Sequence, residues 1–308
     1  MKILIADDDP VTRGLIHKIL HAAGYEVIVV ENGRLAAEHL CQPDGPRLAL
    51  LDWVMPEMDG PSVCSEVRKK REQPYVYMIL LTSKESKQDV VAGLQSGADD
   101  YLIKPFDHQE LKARLRTGQR ILGLEDKLVE AREEMRFKAT HDPLTGLFNR
   151  GIIVELLSRE LTRTYRERGS TTILLGDIDH FKQVNDTHGH QVGDEVLREV
   201  AIRLVNTVRS YDFVGRYGGE EFLLVLNNCE SSYALERAEK IRSTIGNSPV
   251  STRRGLLKVT MSLGVLSSRD WGLRTTEEIL RDVDDALYAA KAAGRNCVRL
   301  ALPKCLTQ

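Results

Sequence analysis

Four aspartates near the start of the chain have the residue type and spacing of a metal site. Asp7, Asp8 and Asp9 directly follow the apolar run KILIA, and Asp52 ends the apolar run LALLD. Carboxylates that meet at one point repel each other unless a hard cation such as Mg²⁺ joins them. If the two runs are neighbouring strands, a divalent-metal site is predicted. Read alone, the three consecutive aspartates are more typical of a solvated helix N-cap.

A second acidic cluster surrounds the segment RYGGEEFLLVL, residues 216–226. Its two glycines predict a tight turn between strands and would let a ligand approach the backbone closely. If Glu220 and Glu221 both lie in the returning strand, their side chains point to opposite faces, so only one meets a given partner. The best partner is Asp177, which lies in the apolar run TTILLGDI. Asp177 and Glu220 could then share divalent metals, and the alternative is an ordinary polar hairpin tip.

Groups suited to a nucleotide occur in other segments of the second half of the chain. The segment HFK, residues 180–182, opens a loop whose backbone N–H groups could hold a polyphosphate. The chain has no GxxxxGK[ST] motif, which excludes a P-loop site. Lys291 and Arg295 lie four apart and suit phosphates, although a solvated helix end is an equal alternative. Asn185 and Asp194 offer the donors and acceptors that a guanine edge requires.

Strands and helices must bring these residues together. Over residues 1–118, short apolar runs alternate with amphipathic stretches, which predicts a doubly wound α/β domain with a parallel sheet. Ligands of such sheets bind beyond the carboxyl ends of the strands. Thr82 and Lys104 also end predicted strands, so a hydroxyl and an ammonium group should join the first acidic cluster.

A long helix is predicted to follow the first domain. No proline occurs between Pro105 and Pro143, charges are dense, and apolar residues recur at helical spacing. We therefore predict a helical coiled-coil linker at 119–140. Its apolar residues are spaced three and four apart, as in a short parallel coiled coil: Ile121, Leu124, Leu128, Ala131 and Met135. The alternative is a single helix packed on its own domain.

A second globular domain is predicted for residues 141–308. Its apolar runs at 171–178, 212–218, 220–226 and 257–266 predict strands, and helical patterns lie between them.

Composition narrows the classes of partner and compartment. The net charge is −2, so no basic surplus points to nucleic acid or to an anionic membrane. The 5 cysteines are scattered without a CxxC pair, which favours reduced thiols in a cytoplasmic protein. No apolar stretch approaches the ~18 residues that span a bilayer, and the first residues do not read as a signal peptide.

The first domain resembles the response-regulator receiver family. The segments IADDDP, LLDWVMPEMDG, LLTS and YLIKPF match its motifs in order and spacing. The resemblance implies that a histidine kinase or a phosphotransfer protein phosphorylates Asp52. It implies three Mg²⁺ ligands: Asp8, Asp52 and the Val54 carbonyl. It also implies a set of switch residues, of which Thr82 moves toward the phosphate and Tyr101 rotates inward: Asp7, Thr82, Tyr101 and Lys104.

The second domain resembles the GGDEF family of diguanylate cyclases. The segments HDPLTGLFNR, DIDHFKQVNDTHGHQVGD, GRYGGEEF and KAAGRN fit this family in order. The resemblance implies a mixed α+β sheet like that of polymerase palm domains. It implies a reaction that joins two GTP molecules into cyclic di-GMP and releases two pyrophosphates. Because one domain binds one GTP and the product needs two, it also implies a homodimer.

The same resemblance assigns residues to roles in the second domain. The ligands of two Mg²⁺ or Mn²⁺ ions would be Asp177, the Ile178 carbonyl and Glu220. Glu220 would accept the proton, with Glu221 as a weaker candidate. GTP would be bound by a larger set: Leu144, Phe181, Lys182, Asn185, His190, Asp194, Leu197, Lys291 and Arg295.

The segment RSYD, residues 209–212, has a structural and a regulatory interpretation. Arg209 and Asp212 lie three apart near a predicted helix end, where a cation beside the helix dipole and an aspartate in a turn are ordinary. Within the GGDEF family, an RxxD at this distance before the signature implies a product-inhibition site for cyclic di-GMP.

Three other functions remain as alternatives. A non-catalytic GGDEF domain could sense GTP or cyclic di-GMP, although the signature acids are all present here. A cyclase could make a mixed cyclic dinucleotide, although Asp194 is retained for guanine. A receiver could act through a DNA-binding domain, but the chain has no helix-turn-helix pattern and no basic stripe.

Overall fold

The structure is a computed structural model that describes residues 1–70, 74–83, 87–268 and 274–301. The chain divides into two compact units, Met1–Glu133 and the residues from Glu134 onward. The end of the predicted second domain, residues 302–308, lies outside the described residues, as does Cys305.

Five parallel strands form the sheet of the first unit, in the order β2-β1-β3-β4-β5. Their bounds are β1 Lys2–Ala6, β2 Glu26–Val30, β3 Leu48–Asp52, β4 Tyr77–Thr82 and β5 Asp100–Ile103. The helices between them are α1 Pro10–Ala22, α2 Gly33–Leu40, α3 Gly60–Lys70 and α4 Lys87–Gln95. Successive residues of β1 enter two different apolar clusters, with Leu4 in one and Ile3 and Ile5 in the other. Both faces of the sheet are therefore covered, which confirms the predicted doubly wound domain.

The long predicted helix is present as α5, His108–Thr140, with 33 residues. Its first turns pack on the first unit, where Leu111, Leu115 and Leu122 join the apolar cluster of Leu48. This packing continues past residue 118, and Asp126 forms an ion pair with Arg47.

A mixed five-stranded sheet forms the centre of the second unit, in the order β12-β11-β6-β8-β7. Its strands are β6 Thr171–Ile178, β7 Phe213–Arg216, β8 Glu221–Asn227, β11 Met261–Ser267 and β12 Val298–Leu300. Only the pair β11–β12 is parallel among these neighbours. A small antiparallel hairpin joins β9 Val250–Thr252 to β10 Gly255–Leu257. The mixed sheet predicted from the sequence is thus confirmed.

Helices cover both faces of this second sheet. They are α6 Arg150–Glu167, α7 Phe181–His188, α8 His190–Thr207, α9 Ser231–Asn247 and α10 Thr276–Ala292. Two apolar clusters result, one containing Phe222 and Leu224 and the other containing Leu223 and Val225. The single strand predicted at 257–266 is divided, because β10 ends at Leu257 and β11 begins at Met261.

Within the described residues, every helix is too short or too polar to cross a lipid bilayer.

Candidate active site and receiver site

The first acidic cluster forms because β1 and β3 are neighbours. They pair in parallel, with Ala6 opposite Leu51, so the residues that follow them meet at one edge of the sheet. One carboxylate oxygen from each of Asp7, Asp8 and Asp52 lies within 4.8 Å of the others. This donor set fits a hard divalent cation. Asp9 instead caps α1 and accepts hydrogen bonds from two of its backbone N–H groups, so the N-cap interpretation holds for that residue alone.

Lys104 lies between two of these acids. Its Nζ is 2.8 Å from Asp7 Oδ2 and 2.9 Å from Asp52 Oδ1. Burial opposes the charge of Lys104, but the hydrogen bonds to both acids outweigh it and raise its pKa. Burial raises the pKa of Asp52, and repulsion by Asp7 adds to this, while Lys104 opposes it. The ammonium group is thus held beside the predicted phosphorylation site.

The remaining predicted receiver residues lie at the same edge of the sheet or close to it. Thr82 ends β4 and is buried. Tyr101 in β5 is half-buried and packs against the apolar cluster of Leu80. Val54 follows β3 and its side chain is exposed.

The second acidic cluster forms where β8 returns beside β6. Asp177 and Glu221 are directly opposite each other in this antiparallel pair, so their side chains share a face. Glu220 lies outside the strand, in the turn, and its carbonyl accepts a hydrogen bond from the Ile178 N–H at 3.3 Å. We expected only one glutamate to meet Asp177, on the condition that Glu220 and Glu221 both lie in the strand. That condition is not met, and both glutamates lie at the end of β6.

Burial raises the pKa of all three acids. For Glu220 and for Glu221, burial is the largest cause and the charge of Asp177 is the next. Burial also raises the pKa of Asp177, while a hydrogen bond from Lys291 opposes that rise. Lys291 Nζ lies 2.7 Å from Asp177 Oδ2. The charge of Asp177 acts on both glutamates, and carboxylate oxygens are the ligands that hard divalent cations prefer.

The loop after β6 supplies a helix start without a side-chain cap. His180 precedes α7 with φ of 58°, and its side chain makes no capping hydrogen bond. The first N–H groups of α7 thus retain donor capacity, as the predicted polyphosphate loop requires. Phe181 is buried at this point and Lys182 is exposed. Arg295 lies near enough to Asp177 to lower the pKa of that carboxyl against the effect of burial.

The residues predicted to read guanine lie where α7 meets α8. Asn185 is in α7, while His190 and Asp194 are in the first turns of α8. Phe181 and Leu197 belong to one buried apolar cluster, and Leu144 packs against it.

Comparison with known proteins shows the family of the second unit. The model of the diguanylate cyclase GGDEF domain matches residues 139–297, which is more than half of the chain. The chain belongs to the GGDEF family. The model of the response regulator receiver domain matches residues 3–116, so the first unit is a receiver domain.

Two relatives and one solved structure are similar to large parts of this GGDEF protein. Response regulator PleD of Caulobacter vibrioides is 35% identical over 253 residues, which cover 82% of this chain and 56% of PleD. Diguanylate cyclase DgcP of Pseudomonas aeruginosa is 35% identical over 68% of this chain and 32% of its own length. The chain therefore spans about half of PleD and about a third of DgcP. The coiled coil and GGDEF domain of DgcB from Caulobacter crescentus, solved in complex with c-di-GMP, superposes with a TM-score of 0.54. DgcB is 31% identical, covering 62% of this chain and 99% of that one.

Arg216 fixes the signature turn of this GGDEF domain, and sequence reasoning missed it. Arg216 Nη1 lies 3.1 Å from both carboxylate oxygens of Asp142, and its Nε and Nη2 donate to the Gly219 carbonyl at 3.1 and 2.7 Å. Burial of Asp142 acts to raise its pKa, but hydrogen bonds from Thr145 and Arg216 outweigh this and lower it. Both residues stand in motifs quoted from the sequence, but 74 positions apart in the chain, so no local pattern pairs them.

The structure also shows why glycine is required at two positions where functional groups come close together. A Cβ on Gly218 would lie 2.3 Å from Glu221 Oε2, and a Cβ on Gly193 would lie 1.9 Å from Asn185 Oδ1. The first contact lets the signature glutamate fold back over the turn. The second lets the predicted guanine reader of α7 pack directly on α8, and Gly193 was not identified from the sequence.

Arg209 and Asp212 line a cavity of about 380 Å³ on another side of the domain. Asp212 is buried and accepts hydrogen bonds from the Arg209 N–H and the Asn227 N–H, each at 2.9 Å. These bonds are the ordinary turn-stabilising role. The Arg209 guanidinium lies over the Tyr211 ring at 5.7 Å, and Arg237 also lines the cavity, with Nη2 3.4 Å from Asp212 Oδ2. Arg237 is a further cation at this cavity that no sequence motif identified.

Proposed function

We propose that this protein is a diguanylate cyclase that condenses two GTP molecules into cyclic di-GMP and two pyrophosphates, under control of phosphorylation at Asp52. The observation that carries the proposal is the convergence of Asp177, Glu220 and Glu221 at the end of β6 in a chain of the GGDEF family. The names of DgcP and DgcB, which attach cyclase activity or c-di-GMP to close relatives, support the same reaction.

The active-site residues divide into metal-binding, proton-accepting and substrate-binding groups. Asp177, the Ile178 carbonyl and Glu220 would hold Mg²⁺ or Mn²⁺, which when bound stabilises charge on the α-phosphate and acidifies the attacking 3′-hydroxyl. Glu220 would also accept the proton from the attacking 3′-hydroxyl, because it is partly buried beside Asp177 at the end of β6. Glu221 shares this environment and is the second candidate.

Substrate binding would use both ends of the loop after β6. Asn185 and Asp194 would read the guanine edge, with Leu144, Leu197 and His190 around the base. The phosphates would meet a second set: Phe181 and Lys182 at the start of α7, and Lys291 and Arg295 at the end of α10. Lys291 is bonded to Asp177 in the structure, so on this proposal it exchanges that carboxylate for a phosphate when substrate binds.

Product formation requires two active sites that face each other, so we propose a homodimer. The predicted seam supports this, because Leu124, Leu128 and Met135 are 59%, 64% and 71% exposed on α5. An apolar stripe of this spacing is buried when two such helices pair.

Phosphorylation of Asp52 would control this pairing. The Asp7–Asp8–Asp52 cluster fits Mg²⁺, and Lys104 lies where it can neutralise charge on an incoming phosphoryl group. Thr82 and Tyr101 would then rearrange and change the surface through which two receiver domains meet. A histidine kinase or a phosphotransfer protein would supply the phosphoryl group. The described cysteines form no disulfide with one another, which supports a cytoplasmic location.

Product would bind at Arg209 and Asp212 and slow the enzyme. The cavity there presents Arg209 and Arg237 as phosphate-binding cations and the Tyr211 ring beside them.

The reaction is tested by incubating the purified chain with Mg²⁺ and GTP, then separating nucleotides by chromatography. The proposal predicts cyclic di-GMP and pyrophosphate in a one-to-two ratio. A parallel reaction with equal GTP and ATP should give no mixed dinucleotide. Binding of GTP without turnover, in wild type activated by beryllofluoride, would show a sensor domain instead.

A further inference from the structure

Asp179 is a buried acid to which the proposed reaction gives no part. It follows β6, two residues after Asp177, and is only 5% exposed. Its Oδ2 accepts hydrogen bonds from the Thr260 hydroxyl at 2.6 Å and from the Asn296 backbone N–H at 3.0 Å. Its Oδ1 accepts from the Ser262 hydroxyl at 2.6 Å. One carboxylate thus joins the end of β6 to the start of β11 and to the loop after α10.

The loop that Asp179 holds has an unfavourable backbone. Gly294, Arg295 and Asn296 have consecutive φ values of 109°, 65° and 45°. Residues with a Cβ rarely adopt this left-handed region, and here two of them do so in succession. Such a conformation persists only where surrounding contacts fix it. The described contacts are the bond from Asn296 to Asp179, a side-chain bond from Arg242 to Asn296, and the Arg295 N–H to Ala290 carbonyl bond at 3.2 Å.

The position of this loop sets the position of Arg295. The guanidinium is exposed, and its charge acts on Asp177 across the end of β6. Without the bond between Asp179 and Asn296, the left-handed pair loses its direct hydrogen bond to the segment that follows β6, and the next bond to the sheet is that of Leu263 N–H to the Cys297 carbonyl. Arg295 would then sample other positions, at an entropic cost to any ligand that needs it in this one.

We propose that Asp179 is a positioning residue for the triphosphate of GTP, which holds Arg295 at a fixed place relative to the metal-binding end of β6. The inference rests on the proposed function, in which Arg295 binds that triphosphate. On this proposal Asp179 acts through its three accepted hydrogen bonds, from Thr260, Ser262 and Asn296, and touches neither substrate nor metal.

Two substitutions at this site separate positioning from a charge or metal role. Asp179→Ala removes all three accepted bonds. Asp179→Asn keeps an oxygen for Thr260 and Asn296 and turns an amide N–H₂ toward Ser262, whose hydroxyl can accept it. If Asp179 is a positioning residue, Asp179→Asn should preserve binding of the triphosphate and Asp179→Ala should not. A metal ligand or an essential charge would be lost equally in both.

The probe is 3′-deoxy-GTP, which lacks the attacking hydroxyl and cannot react, and GMP is the comparison ligand without a triphosphate. Calorimetry on the full chain with Mg²⁺ should show about tenfold weaker 3′-deoxy-GTP binding for Asp179→Ala, as expected for a lost charge-assisted contact. GMP affinity should change by less than about twofold, and Asp179→Asn should stay within about threefold of wild type for both ligands. Equal losses for GMP and 3′-deoxy-GTP, or equal losses for both substitutions, would overturn the proposal.

A double-mutant cycle with Arg295→Ala tests the coupling directly. If Asp179 acts through Arg295, the double variant should bind 3′-deoxy-GTP within about twofold of Arg295→Ala alone. Additive losses would contradict positioning while leaving the role of Arg295 intact. If Arg295→Ala binds like wild type, the assignment of Arg295 in the proposed function fails, and this inference fails with it.

Thermal unfolding shows whether Asp179→Ala is folded. If it is not, Thr260→Val replaces it, because that change removes one donor to Oδ2 without altering side-chain shape. For Thr260→Val, the affinity for 3′-deoxy-GTP should fall about threefold and the affinity for GMP should not change. The fall for 3′-deoxy-GTP should be absent when Arg295→Ala is also present. Unchanged 3′-deoxy-GTP affinity in a folded Thr260→Val would overturn the proposal.

Discussion

At the scale of single residues, carboxylates at strand ends determine the chemistry proposed for each unit. In the receiver domain, Asp7, Asp8 and Asp52 meet because β1 and β3 are neighbours. In the GGDEF domain, Asp177 and Glu221 meet because β6 and β8 are antiparallel with these residues in register. Both clusters combine like charges and partial burial, an arrangement that a divalent cation stabilises.

Glu220→Gln should remove product formation and leave the fold intact. The substitution is nearly isosteric, and it deletes both a metal ligand and the proposed proton acceptor, which costs orders of magnitude in rate. Cyclic di-GMP formation should fall below about a tenth of wild type, with an unchanged melting temperature. A folded variant with more activity than this would show that Glu220 has been assigned the wrong role.

Arg209→Ala should leave the initial rate nearly unchanged and prevent the reaction from slowing as product accumulates. The guanidinium is 5.7 Å from the Tyr211 ring at the cavity, and its charge-assisted bonds to phosphate are worth about 1.5–3 kcal/mol each. Progress curves with added cyclic di-GMP measure the effect. Arg254→Ala, at an exposed site on the β9–β10 hairpin, is the control and should stay inhibited. Persistent inhibition in Arg209→Ala would remove the RSYD segment from the regulation.

Gly193→Ala should raise the KM for GTP without destabilising the protein. Alanine is the better helix former by about 1 kcal/mol, but its Cβ would overlap Asn185 Oδ1 and displace that side chain. We expect KM to rise about tenfold, which corresponds to about 1.4 kcal/mol of binding. An unchanged KM would place the guanine edge away from Asn185.

At the scale of elements, the strands, the long helix and the acidic clusters at strand ends were predictable, and other contacts between elements were not. Apolar runs such as LALLD became strands with the predicted bounds, because a strand buried on both faces leaves a continuous apolar pattern. The break between β10 and β11 was missed, because residues 258–260 continue the apolar and β-branched pattern of the strands on either side. Gly193, Arg216 and Asp179 were missed for a related reason. Their partners lie on other elements, and periodicity within one element carries no information about such pairs.

Leu124→Asp combined with Leu128→Asp should uncouple activation from phosphorylation. Both side chains are exposed on α5, so the substitutions leave the first unit folded but prevent two helices from pairing along this stripe. Sedimentation with and without beryllofluoride measures pairing, and phosphorylation of Asp52 should be unaffected. Lys127→Asp, which changes the net charge by the same amount at an exposed position off the seam, is the matched control. A double variant that still pairs and activates normally would exclude the seam as the transmitting element.

At the scale of the whole molecule, the single helix α5 connects the receiver domain to the GGDEF domain along the chain. In the proposed reaction, two GTP-loaded domains must meet for each turnover, so a change that favours pairing should raise the rate. A coupling of about 2.7 kcal/mol between phosphorylation and pairing would change the competent population about a hundredfold.

We propose that phosphorylation at Asp52 controls cyclic di-GMP synthesis. A comparison of four reaction rates tests this control. The rate of product formation is measured for wild type and Asp52→Asn, each with and without beryllofluoride, which mimics the acyl phosphate. We expect beryllofluoride to raise the wild-type rate of product formation by about tenfold or more and to leave the rate of Asp52→Asn unchanged. Equal wild-type rates in the two conditions, or activation of Asp52→Asn, would contradict it.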